Sequence, residues 1–270
     1  MSTLRLRKTT KEKSSPDAVD AKRFAATVSY DGGGFSGSQL QPNARTVQQE
    51  LESAVEGLFG TRYRVAMAGR TDSGVHAVGQ VAAFDALTRL DQATVGRALN
   101  ALLPEDVSVR DVREVPSDFD PRRWARRRRY GYTVLNSRVR LPLWRRVAWH
   151  VEASLDIAAM QRLAEALLGR QDFLACSGPL EPGRSSERTV IEAGWRQEGC
   201  LLVFDIEADA FLPHMVRRIV GASVSVGRGS ATVEEITGLL RRKAVGTIGP
   251  TAPAHGLCLE HVIYDEGYLP

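Results

Sequence analysis

Apolar positions along the chain follow two rhythms, and the switches between them mark out the elements. The run Phe24-Ala25-Ala26-Thr27-Val28-Ser29-Tyr30 reads as a strand, cut off by Asp31 and three glycines. Thr46 opens a helix on which Val47, Leu51, Ala54, Val55 and Leu58 recur at helical spacing. Strands are expected at about 63–68 and 78–85. Asp91 starts a second helix, with Val95, Ala98, Leu99 and Leu102 on one face and Pro104 as its stop. A strand at about 107–115 completes the order β-α-β-β-α-β, the split-βαβ plan.

The remainder repeats that order more loosely. A strand is expected at about 129–135, and a helix over 156–168 with Ile157, Met160, Leu163, Ala164 and Leu167 apolar. Strands follow at about 188–197 and 200–208, then an apolar helix from Pro213 to Gly227. A further helix at 233–242 is inserted before a last strand at 257–264. The pattern predicts an α+β fold. Two related split-βαβ halves, ferredoxin- or RRM-like, would form one extended antiparallel sheet with helices packed on it and a central active-site cleft at the seam. The connection from 171 to 187 is long enough to act as a mobile substrate loop. Residues 1–22 are polar, charged and free of aromatics, the pattern of a disordered basic tail. The two halves are then residues 23–120 and 121–270.

Composition changes this picture in one place. At 270 residues, 43% hydrophobic and 25% charged, the chain is an ordinary globular one with a formal charge of +4. No apolar run approaches membrane-spanning length, and no secretory leader is expected. Cys176, Cys200 and Cys258 form no Cys-x-x-Cys pair, and neither they nor the five histidines show a metal-ligand spacing. The positive charge, however, is concentrated. From Pro121 to Trp149 there are ten arginines and no acid, the footprint of a polyphosphate partner or of a face paired with acids elsewhere.

Three stretches carry candidate chemistry. Gly69-Arg70-Thr71-Asp72-Ser73-Gly74-Val75-His76 sets one carboxylate between an arginine and a turn, where a lone Asp also serves simply as a turn former. In Arg128-Arg129-Tyr130-Gly131-Tyr132, strand alternation puts Tyr130 and Tyr132 on one face, suited to stacking on a base or to filling the sheet. In Phe211-Leu212-Pro213-His214-Met215-Val216-Arg217-Arg218, Arg217 follows an apolar triplet; if it turns inward, Asp72 is the candidate partner.

Together these stretches resemble the TruA-type tRNA pseudouridine synthases. Tyr30-Asp31-Gly32 through Gly37 and Gly256-Leu257 resemble two further motifs of that family, in the family's order. The resemblance implies isomerisation of uridine to pseudouridine at positions 38 to 40 of the tRNA anticodon stem-loop. It implies a cytoplasmic homodimer spanning one tRNA, without metal or cofactor. Asp72 is then the catalytic aspartate, Tyr130 stacks on the uracil, and Arg217 pairs with Asp72 and holds it ionised. Leu257 packs against the base, and Arg70 contacts the RNA. Arg122, Arg123, Arg126, Arg127 and Arg128 are the expected contacts to the RNA backbone, from the arginine run itself. The alternative is a non-catalytic RNA-binding protein of RRM-like fold, which would have no use for the octapeptide. Two positions depart from the family's usual pattern. Ser73 stands where alanine is usual, and Ser38 where tryptophan is, which removes a large packing or stacking surface.

Overall fold

The computed structural model describes residues 21–242 and 244–265. Residues 1–20, where most of the basic tail is expected, lie outside the described residues. The first half runs β1 (Ala21–Tyr30), α1 (Val47–Phe59), β2 (Ala66–Met67), β3 (His76–Leu87), α2 (Gln92–Leu102) and β4 (Val107–Val115). The second runs β5 (Arg127–Asn136), β6 (Trp149–Val151), α3 (Ile157–Glu165), β7 (Gly169–Asp172), β8 (Glu187–Glu198) and β9 (Leu201–Ala208). It ends with α4 (Met215–Gly227), α5 (Val233–Arg241) and β10 (Leu257–Ile263). Residues 21 and 22 are thus the start of a strand.

The caps fall where the side chains dictate. Thr46 accepts from the Gln49 amide at the start of α1, and Gly60 ends it in the left-handed region. Asp91 accepts from the Thr94 amide to open α2, Asp156 from the Ala159 amide to open α3. Thr232 and Glu235 form a reciprocal capping box on α5.

Strands line up in the order β4-β1-β3-β10-β5-β9-β8-β7, with β2 on β3 and β6 on β5. Each half keeps the same internal order, so β4-β1-β3-β2 corresponds to β10-β5-β9-β8. Neighbours along the row pair antiparallel except at the seam, where β3 and β10 run parallel with Cys258 opposite His76 and Leu259 opposite Ala77. The outer edge of β3 is shared: β2 takes Ala82 and Ala83, while β10 takes the other end.

The even-numbered residues Phe24, Ala26 and Val28 of β1 and Leu202, Phe204 and Ile206 of β9 join the core built on the helices, with Val55, Leu99, Leu163 and Ile219. On the other sheet face Ala25 and Ala83 meet Phe119, Trp124 and Tyr264 in a small second core. Among the described residues no helix is long and apolar enough to cross a membrane.

Three local expectations are corrected. The strand expected at 63–68 shrinks to Ala66–Met67, because α1 takes the backbone groups of Val65. Gln48 donates to its carbonyl at 2.9 Å, and Glu52 accepts from its amide at 3.3 Å. Pro213 lies outside α4, because His214 has φ +63° and cannot be helical. The 171–187 connection is not open along its length: Phe173, Ala175, Cys176 and Ser177 are fully buried. The pattern also passes over β6 and β7, which are three and four residues long.

The seam depends on a residue without a side chain. A β-carbon at Gly79 would lie 1.8 Å from the Glu260 carbonyl oxygen, so β10 crosses β3 there at backbone contact. Gly79→Ala is therefore expected to cost about 1–3 kcal/mol or more, as overpacking does. Urea unfolding measures this; an unchanged midpoint would show that the seam can move aside.

Candidate active site

The octapeptide crosses from β2 to β3 and is held from several sides. Gln80 Nε2 donates to the Gly69 carbonyl at 2.9 Å. Tyr30 Oη and Thr71 Oγ1 share a hydrogen bond of 2.8 Å. The Thr71 amide donates to Ser38 Oγ at 2.8 Å, while the Ser38 amide donates back to the Thr71 carbonyl at 3.1 Å. Ser73 Oγ donates to the Phe35 carbonyl at 3.1 Å. Gly74 makes the turn at φ +80°. His76 faces away from Asp72, with Nδ1 accepting from the Gly32 amide and Nε2 bonded to the Arg146 carbonyl.

This scaffold presents Asp72 to the second half of the chain. Its Oδ2 receives Arg217 Nη1 and His214 Nδ1, each at 2.9 Å. Arg217 Nε in turn donates to the Ala252 carbonyl at 2.8 Å, which fixes the guanidinium in plane. Arg217 is 16% exposed against 32% for Asp72, so the cation lies inside and the carboxylate faces the opening. Oδ1 has no hydrogen-bond partner among the described residues. Arg217 reaches this position because α4 is pressed close to the segment before β10. A β-carbon on Gly221 would lie 1.8 Å from the Pro250 carbonyl oxygen.

Asp72 opens into a cleft of about 480 Å³, a size typical of small-ligand sites. Tyr130, Leu257, Leu259, Phe211 and Val75 line its apolar side. Register places Leu259 opposite Tyr130 and Leu257 opposite Tyr132. Phe211 meets Tyr130 edge to face, with centroids 5.0 Å apart. Burial pushes the Tyr130 phenol well above its ordinary range, so it stays neutral in the cleft wall. Burial also pushes Tyr30 up, to about 12. Tyr132 is fully buried and donates to the Pro253 carbonyl at 2.8 Å. It stands behind Leu257 and, unlike Tyr130, does not line the cleft.

The polar rim is rich in arginine: Arg70, Arg122, Arg128, Arg184, Arg188 and Arg217 line the cleft among the described residues. The arginine run divides by strand parity. Arg128, on the Tyr130 face, turns into the cleft wall and donates to the carbonyls of Ala68, Arg122, Ala125 and Asp209. Burial lowers its pKa. Arg127 and Arg129, on the opposite face, pair with Glu207 and with Glu192, Asp205 and Glu260. Arg126 is held by Asp265 at 2.6 Å. Arg123 stands 86% exposed, 3.6 Å from Asp120. The side chains of Arg70 and Arg122 are exposed and make no ion pair among the described residues.

Known proteins match this arrangement across nearly all of its length. A family model described as tRNA pseudouridine synthase matches residues 26–122 and 163–265. The tRNA pseudouridine synthase A of Myxococcus xanthus is 44% identical over 246 residues, 91% of this chain and 93% of its own. The protein of that name from Moorella thermoacetica is 42% identical over 240 residues, 88% of this chain and 98% of its own. The chain belongs to the tRNA pseudouridine synthase family.

The structure of this synthase brings together Asp72, Arg70, Tyr130, Arg217 and Leu257, which are separated by up to 187 positions in sequence. It adds His214, Thr71, Tyr30 and Phe211, which reading the sequence did not single out. The signal for His214 was present, immediately before Met-Val-Arg, but its place beside Asp72 depends on a backbone turn that no spacing reveals. The two departures from the family pattern meet in one place. Ser38, 1% exposed, and Ser73 each tie the Asp72 loop to the 35–38 segment. Residue 38 faces inward here and offers no stacking surface.

Ser38→Ala leaves the buried Thr71 amide without its acceptor, which costs about 1–3 kcal/mol. Chemical denaturation should register that loss; full retention of stability would show that the hydroxyl does not hold the loop.

Proposed function

We propose that this chain isomerises uridine to pseudouridine in tRNA, with Asp72 as the catalytic carboxylate and the anticodon stem-loop, positions 38 to 40, as target. One observation carries the reading: a carboxylate with one free oxygen, clamped through the other by Arg217, opens into an apolar-walled cleft rimmed with arginine. The reaction breaks the N1–C1′ bond, turns the uracil, and joins C5 to C1′. No atom is gained and no electron is exchanged, so the chain must supply placement and one reactive oxygen. Attack on the base, attack on the ribose and removal of a sugar proton each use a free carboxylate oxygen, and Oδ1 is the one available.

The target base leaves its stack at a cost of a few kcal/mol. Tyr130 and Leu257 receive it, and stacking on an aromatic returns about 1–3 kcal/mol. Arg70 and Arg122, without an ion pair among the described residues, contact phosphate. Arg126 and Arg127 are already paired with Asp265 and Glu207, and Arg128 with backbone carbonyls, so they lend positive potential more than contact. A cytoplasmic homodimer with one tRNA spanning both copies completes the reading, on the family resemblance.

Asp72→Ala is expected to lower tritium release from C5-labelled uridine in tRNA below about a thousandth of the wild-type rate, while tRNA affinity stays within about threefold. Substantial release by the variant would end the assignment of Asp72. Pseudouridine mapping of the same tRNA locates the target, and modification outside positions 38 to 40 would refute the site. For the rim, Arg70→Ala or Arg122→Ala should each reduce the salt slope of binding by about one. Arg126→Ala should change it less; equal slopes would show that Asp265 releases its arginine to RNA.

A further inference from the structure

His214 occupies a position that its backbone does not favour. It sits at φ +63°, ψ +1°, immediately before the first residue of α4. Side chains rarely adopt this left-handed region, although Asn, Asp and His tolerate it better than most. The His214 side chain makes no capping bond to its own helix. The conformation sends the imidazole across to the first half of the chain, where Nδ1 lies 2.9 Å from Asp72 Oδ2. Such local strain is characteristic of functional sites.

Room for the ring is made by a second, independent feature. A β-carbon on Gly178 would lie 2.8 Å from His214 Cδ2, so a larger residue at 178 would push the imidazole out of place. The Gly178 amide also donates to the Pro213 carbonyl at 2.9 Å, which fixes the glycine beside the ring. An ionised carboxylate only accepts, so Nδ1 carries the proton in this contact. Arg217 Nη1 donates to the same oxygen at 2.9 Å. Both donors converge on Oδ2, and none is aimed at Oδ1 among the described residues.

We propose that His214 is a positioning residue for Asp72. Its Nδ1–H and the Arg217 guanidinium together lock Oδ2, so that Oδ1 is the oxygen that meets the nucleotide. Arg217 supplies the counter-charge and one anchor. A carboxylate held by a single anchor still swings about it, and the second donor, arriving from a different direction, stops that motion. The inference rests on Asp72 being the reactive carboxylate.

The test compares His214→Gly, His214→Asn and Asp72→Ala with the wild type. Glycine accepts φ +63° without strain and deletes the donor. Asparagine also tolerates that region and places an amide N–H near the Nδ1 position. Rates come from tritium release on tRNA carrying C5-labelled uridine, with kcat and KM separated, alongside tRNA affinity and thermal midpoint. His214→Gly is expected to lower kcat roughly 10- to 100-fold, the range for losing a hydrogen bond to a charged group, with KM, affinity and midpoint near wild type. His214→Asn should recover most of the rate. A wild-type rate in His214→Gly, a loss confined to KM, or an asparagine variant as slow as glycine would overturn the positioning role. A wild-type rate in Asp72→Ala would remove the assignment of Asp72 itself, and this inference with it.

Discussion

The parallel contact between β3 and β10 is the constraint on which the rest of the molecule depends. It joins two halves of like strand order through a short register, Cys258 on His76 and Leu259 on Ala77. Asp72 stands just ahead of β3, and Leu257 is the first residue of β10. Fixing one strand against the other therefore fixes the carboxylate against the apolar wall. Helix α4 follows, because Gly221 lets the segment leading into β10 lie on its backbone. Arg217 and His214 are then within reach of Asp72. A slip of one residue at the seam would turn Leu257 to the opposite face, and the cleft would lose its floor.

Charge is organised by the same sheet. Consecutive arginines in β5 point to opposite faces, so one sequence run serves two ends. Arg127 and Arg129 meet acids from β8, β9 and β10 on the open face. Arg128 goes the other way and is surrounded by carbonyl oxygens, with no carboxylate among its hydrogen-bond partners. The open face is thus balanced at home, whereas the cleft keeps a positive surplus. A surplus of this kind attracts polyanions to the side on which Asp72 opens.

Much of this is written in the residue pattern, and what is missing has identifiable causes. The long helices and strands announce themselves by periodicity and by Thr46, Asp91 and Pro104 at their ends. The Asp72–Arg217 pair follows from two motifs and the need of a buried arginine for a carboxylate. What local pattern cannot carry is competition from elsewhere. Val65 looks like strand, yet its hydrogen bonds go to Gln48 and Glu52 on α1. Phe173, Ala175, Cys176 and Ser177 sit in a long connection but are buried by the fold around them. Arg126 and Arg127 look free in a run without acids, and their partners Asp265 and Glu207 lie 139 and 80 residues away. His214 is invisible as a ligand of Asp72 until its left-handed turn is known.

The placement of β10 also bears on how the chain matures. The last strand among the described residues lies in the middle of the sheet, between β3 and β5. A polypeptide made from its N-terminus has every other strand in hand before this one emerges. Until then the stretches of β3 and β5 that β10 pairs, beyond the ends taken by β2 and β6, are bare and open to pairing with foreign strands. The apolar wall of the cleft is incomplete too, because Leu257 and Leu259 arrive with β10. The cleft is consequently completed late: a chain that has not yet added β10 holds Asp72 but lacks the apolar floor beside it.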